Sequence, residues 1–272
     1  TPGQPDKEPQ VIPVAIGLLD ETGAEVEPTR VLELTETRQA FQFHGLTARP
    51  VPSILRGFSA PVILDHTPSF EDRALLLAHD TDPFNMWEAG RSLSRETLMA
   101  MLTDDTPPAA AYLDALIRGA GNDELDPAFR AQVLALPSED DIAQGCVDAG
   151  LVPDPTRIHA TREALATTIA KAGRSTLETV YDQMVTDGPY SSDAGPAGKR
   201  SLRNSALRFL TLLDGPVRAR AQYDAATNMT DQLAAFACLL DAGDIEVAAR
   251  FHEQWHGDRL VMDKWFMMQV GH

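Results

Sequence analysis

The stretch Val62-Ile63-Leu64, followed by Ser69-Phe70-Glu71-Asp72-Arg73-Ala74-Leu75-Leu76-Leu77, decides the fold. On its amino side the apolar residues come in short runs. On its carboxyl side Ser69 stands as a helix N-cap with Glu71 and Asp72 in the first turn, and helical spacing takes over. Working back from this switch, Ile54 to Phe58 is another short run, Phe41 and Phe43 alternate with Gln42 and His44, and Leu32 and Leu34 face opposite to Val31, Glu33 and Thr35. The run Val11 to Leu19 ends in a turn at Glu21-Thr22-Gly23. About five short strands of this kind predict a small β-sandwich over 1–66, with Pro50, Pro52 and Pro61 at joints or edges. Residues 1–10 are polar, Pro-rich and expected to be extended.

Working forward, roughly eleven helical segments are expected from apolar spacing and breakers. Asp82-Pro83, Pro107-Pro108, Asp126-Pro127 and Pro155 open four of them, and Gly173 is read as interrupting the one that begins at Pro155. Gly188 to Gly198 reads as a loop, with helices over 199–213, 217–226, 228–242, 245–255 and 260–269. Short helices joined by short loops, without a strict period, predict an α-solenoid of helix pairs over 67–270. The fold class is therefore mostly α with a small all-β N-terminal domain. Gly271 and His272 read as a tag remnant.

The 272 residues are 43% hydrophobic and carry 40 acidic against 23 basic side chains, a formal charge of −17. That balance excludes a phosphate-backbone partner, so no nucleic acid is expected. No apolar run is long enough for a membrane span. Cys146 and Cys238 form no metal or disulfide pattern, which fits a reducing, cytoplasmic setting. Lysine is confined to Lys7, Lys171, Lys199 and Lys264.

One motif invites a catalytic reading. His252-Glu253-Gln254-Trp255-His256 matches H-E-x-x-H, in which two histidines on one helical face bind zinc and the glutamate polarises a metal-bound water. Zinc needs a third protein ligand. No Glu follows His256, and the acids there, Asp258 and Asp263, are both very close to it in sequence. Arg259 and Met262 stand where a metzincin has Gly and His, and Gly257 ends the helix at once. The favoured reading is an exposed helix end, with no catalytic and no metal residue in this chain.

Other features have structural readings. Asp104-Asp105 and Asp140-Asp141 read as helix N-cap and first-turn acids. Lys199-Arg200-Ser201-Leu202-Arg203 places positive charge at a presumed helix start. It is either a solvated face or an internal charge network. The run from Leu260 to Val270 is apolar around most of its circumference and reads as a helix packed on several sides. Trp265 is expected to be buried there, with its indole N–H bonded to the preceding helices and a cost of about 3–5 kcal/mol on truncation to alanine.

Several segments resemble the bacterial aminopeptidase N family, zinc peptidases of the gluzincin class. They are Thr1-Pro2-Gly3-Gln4-Pro5, PVPSILRGFSAPV from Pro50 to Val62, KRSLRNSALRFL from Lys199 to Leu210, NMTD from Asn228 to Asp231, and LVMDKWF from Leu260 to Phe266. The resemblance implies a carboxyl-terminal fragment, with the sandwich short of its first strand and the helical domain short of its end. It implies that the single zinc ion, the exopeptidase motif and the catalytic domain lie on the same chain before residue 1, and that none carries over onto these residues. It further implies that the helical domain caps a cavity open to small peptides only. Arg200, Arg203, Asn228 and Asp231 are then candidates for lining the channel. The alternatives are an independent α-solenoid binding module for peptides or proteins, and a self-sufficient metallopeptidase using His252 and His256.

Purified chain should contain far less than one zinc per molecule by atomic emission. Zinc at one per chain, lost in His256→Ala, would contradict the helix-end reading.

Overall fold

The structure is a computed structural model and describes residues 10–270. The extended stretch expected at the start falls almost wholly on residues 1–9, which with Gly271 and His272 lie outside the described residues. Three antiparallel strands form one sheet in the order β2-β1-β3: β1 (Ile12–Leu19), β2 (Glu25–Leu34) and β3 (Val51–Ile54). The β1–β2 turn is held by the Asp20 carboxylate, which accepts from the backbone N–H groups of Thr22 and Ala24 at 2.8 and 3.0 Å. Gly23 takes the left-handed φ of 85° that closes it.

Fewer segments are strands than the alternation predicts. Phe41 and Phe43 pack on the core of Ile16, Leu18 and Leu32 without joining a ladder. Period two in burial needs only extended chain lying on the core, whereas a strand also needs backbone partners. Arg56–Phe58 is a 3-10 turn with Leu55, Gly57 and Phe58 at positive φ, and residues 62–64 belong to no strand or helix.

That turn has a purpose. It drives Arg56 inward until only 4% of the residue is exposed. Its guanidinium donates to Ser53 Oγ and Thr29 Oγ1, both at 2.8 Å, to Asp80 Oδ1 at 2.9 Å, and to Glu25. Burial holds the Asp80 carboxyl above the usual carboxylate range, against the pull of the backbone and of Arg56. A side chain at Gly17 would meet this guanidinium at 2.2 Å. Asn85 ties the next helix to the same place, donating to Ser53 Oγ at 2.8 Å and to the Ile54 carbonyl at 3.0 Å.

The helices are α1 (Phe70–His79), α2 (Pro83–Asp104), α3 (Ala110–Gly121), α4 (Pro127–Val133), α5 (Glu139–Asp148), α6 (Pro155–Gln183), α7 (Ala194–Asp214), α8 (Val217–Ala225), α9 (Met229–Asp241), α10 (Glu246–Trp255) and α11 (Arg259–Val270). Ser69 caps α1 by accepting from Asp72 N at 3.0 Å. Compact packing divides the chain within α2, into Thr1–Glu96 and Thr97–His272. In the second unit α6 packs on α3, α5 and α7, while α7 also meets α4, α8 and α9.

Three local expectations are corrected. Gly173 does not interrupt α6. It is buried within an unbroken helix, and a Cβ there would sit 3.0 Å from Ile117, so its role is close approach to α3. Asp104-Asp105 ends α2 and does not open a helix, with Asp105 at φ 53°. Asp140 and Asp141, by contrast, do lie in the first turn of α5, where Ser138 and Asp141 form a capping box. Helix α7 starts at Ala194, inside the supposed loop. Pro196 fits because first-turn N–H groups need no helical partner, and Ala197 N makes the first bond, to Asp193 O at 2.9 Å. Lys199 and Arg200 are therefore not in the first turn, and the conflict with the helix dipole does not arise.

Trp265 is also corrected. Its indole N–H does donate to a preceding helix, to the Ala248 carbonyl at 2.9 Å, but the residue is only half-buried. Helix α11 packs chiefly on α10, and Leu260 and Phe266 remain 76% and 60% exposed. Trp265→Ala should accordingly cost about 2 kcal/mol, below the usual loss for a fully buried aromatic. Denaturant unfolding measures this, and an unchanged midpoint would contradict it.

Candidate functional site

The four candidate lining residues come together. Arg200 and Arg203 on α7, with Asn228 and Asp231 at the start of α9, face one cavity of about 300 Å³. Tyr181, near the end of α6, Gln222 on α8, Thr186 and Thr227 complete its polar lining.

Local structure fixes each group. Asn228 is the N-cap of α9, and its side-chain oxygen accepts from Asp231 N at 3.0 Å. The two Asp231 carboxylate oxygens accept from Asn204 Nδ2 at 3.0 Å and Asn228 Nδ2 at 2.8 Å. Gln222 donates from Nε2 to Asn204 Oδ1 at 2.7 Å and to the Asp231 carbonyl at 3.1 Å, while its Oε1 is buried without a partner. Arg200 is 4% exposed, donates from Nη2 to the Ser191 carbonyl at 2.7 Å and lies 4.6 Å over the Tyr190 ring. Its Nε has no partner. Arg203 donates from Nε to the Tyr181 carbonyl at 3.2 Å and lies 4.2 Å over that ring. Burial raises the Tyr181 phenol above its ordinary pKa, partly offset by the cations of Arg203 and Arg218.

The basic cluster is thus internal in part. Arg200 and Arg203 point into the fold, while Lys199 and Ser201 are exposed. Sequence reading missed Asn204 and Gln222. Asn204 was within reach, because Arg200, Arg203 and Asn204 are spaced i, i+3, i+4 and share a helical face. Gln222 sits in VRARAQYDA, which has no clear apolar face to orient it.

The H-E-x-x-H residues lie elsewhere. His252, Glu253 and His256 are exposed at the end of α10, where His256 is the C-cap. The two imidazoles stack at 6.0 Å, His252 meets the Trp265 ring at 5.1 Å, and His256 Nδ1 donates to the Glu253 carbonyl at 2.9 Å. Among the described residues no group of three or more His, Cys, Asp or Glu side chains could hold a metal ion. Burial pushes the Cys238 thiol to about 11, far from nucleophilic at neutral pH. The cavity offers polar groups for recognition.

A small β domain followed by helical repeats is the class this architecture defines. The family model described as "Domain of unknown function (DUF3458_C) ARM repeats" matches residues 70–272, and "Domain of unknown function (DUF3458) Ig-like fold" matches residues 1–67. The chain belongs to this family. It is 38% identical over 263 residues to aminopeptidase N of Caulobacter vibrioides, covering 94% of this chain and 30% of that protein. It is 32% identical over 293 residues to aminopeptidase N of Escherichia coli, covering 99% of this chain and 32% of the relative. The chain thus spans less than a third of the length of these relatives. A crystal structure of Legionella pneumophila aminopeptidase A in complex with aspartic acid shares the fold, with a TM-score of 0.76 and 23% identity over 96% of this chain and 32% of that one. Among the described residues no helix is long and apolar enough to cross a membrane.

Asn228→Ala should lower stability by about 1 kcal/mol, the usual cost of a lost N-cap. Asp231→Ala should cost more, about 2–4 kcal/mol, because Asn204 and Asn228 then lose their buried acceptor. Urea unfolding of both variants checks the order, and an Asp231→Ala chain as stable as wild type would refute this account of the network.

Proposed function

We propose that this chain is the non-catalytic carboxyl-terminal portion of a zinc-dependent aminopeptidase N that removes N-terminal residues from peptides. The observation that carries the reading is 38% identity to a curated aminopeptidase N across 94% of the chain. The catalytic domain, with its single zinc ion, belongs to the same polypeptide ahead of residue 1. The zinc supplies Lewis-acid and water-activating chemistry there, and no residue of this chain takes part. The helical domain covers the catalytic cavity, admits small peptides and excludes folded proteins. Arg200, Arg203, Asn228 and Asp231 line the route, a role that suits a buried polar cavity. A cytoplasmic setting agrees with two buried free cysteines.

The test is to express the chain with its upstream coding sequence and assay an alanyl chromogenic substrate. The longer protein should be active and chelator-sensitive, and the 272-residue chain inactive. A longer protein without peptidase activity overturns the reading in favour of an independent α-solenoid binding module.

A further inference from the structure

We infer that the cavity between α7, α8 and α9 is a subsite for the carboxyl terminus of a peptide, taking an α-carboxylate together with the N–H beside it. The inference rests on the peptide-processing reading above, and its chemistry comes from what the cavity leaves unpaired. Arg200 and Gln222 both line it and are only 4% and 5% exposed. Arg200 Nε is a buried donor with no acceptor, and Gln222 Oε1 is a buried acceptor with no donor. Folded proteins satisfy such groups, so an orphan donor and an orphan acceptor on two side chains that line one cavity point to a ligand that brings one acceptor and one donor.

The charge pattern identifies the acceptor. Arg200 and Arg203 meet carbonyls and aromatic rings, with no carboxylate partner among the described residues. Asp231, the one acid lining the cavity, has both oxygens held by the Asn204 and Asn228 amides. The lining therefore carries a net positive charge, in a chain whose formal charge is −17. Two guanidinium groups favour an anion of planar, forked geometry, which a carboxylate has. The orphan Gln222 oxygen then calls for an N–H close to that carboxylate. A peptide's last residue carries both, and about 300 Å³ suits one or two residues of peptide.

Titration calorimetry on the 272-residue chain tests this, with N-acetyl-Ala-Ala, its C-terminal amide, free alanine and acetate as probes. The acid should bind at least tenfold more tightly than the other three. Arg203→Gln should abolish the preference for acid over amide in a chain whose circular dichroism and melting show it folded. The comparison of acid with amide on the unaltered chain stands even if that variant does not fold. Equal binding of acid and amide, acetate or alanine binding as tightly as the dipeptide, or no binding by the folded chain would each overturn the inference. The readout is separable from peptidase activity. Acid-selective binding with an inactive longer protein overturns only the proposed function, and an active longer protein whose helical unit ignores the carboxylate overturns only this inference.

Discussion

Helix α7 makes its close approach to α4 at residue 198, which has no side chain. A Cβ there would lie 3.0 Å from Ala128 N and 3.3 Å from its Cβ, against the first turn of α4. That turn cannot give way easily, since its N–H groups at Ala128 and Phe129 are held by the Asp126 cap at 2.8 and 3.3 Å. The approach sets the depth of α7, which also packs on α6, α8 and α9. Arg200 follows two residues later and Arg203 and Asn204 one turn further on, so the polar cavity inherits its geometry from this contact. A side chain at 198 would press α7 and α4 apart at this contact, on the helix that carries Arg200, Arg203 and Asn204.

Capping chemistry made much of the fold readable. Ser69, Asp126 and Asn228 each announce a helix start with a side chain suited to first-turn N–H groups, and each is bonded that way. Glycine and proline were read less well, because their meaning depends on what lies opposite. Gly173 and Gly198 look like breakers in one dimension but serve as contact points between helices. Pro196 looks like a loop residue but occupies a helical position where no N–H is needed. Phe41 and Phe43 carry strand-like alternation that is satisfied by core contact alone. The cavity was half-legible. Its arginines, its cap and its acid stood out by type, whereas Gln222 becomes meaningful only once α8 is laid against α9.

The H-E-x-x-H sequence has surroundings that its letters do not announce. Its two histidines do lie one turn apart on one face, as a zinc pair would. The ring of His252, however, rests against Trp265, and His256 is the residue at which α10 ends. Three matching letters describe a spacing, while a metal site also requires a third donor converging on the same point. This end of the molecule is also the surface on which α11 is laid.

The absence of a side chain at residue 17 has an evolutionary consequence. Gly17 leaves room for the Arg56 guanidinium, and that guanidinium is what makes a fully buried Asp80 side chain tolerable. A lineage that gained even an alanine at 17 would have to move Arg56. Without Arg56 the Asp80 carboxylate would be left buried with no opposing charge, so it too would have to change. No single step through this trio leaves a satisfied core, so descent should pass the three residues on as a block. They lie well apart in sequence, on a strand, a turn and a helix end, yet for drift they behave as one locus.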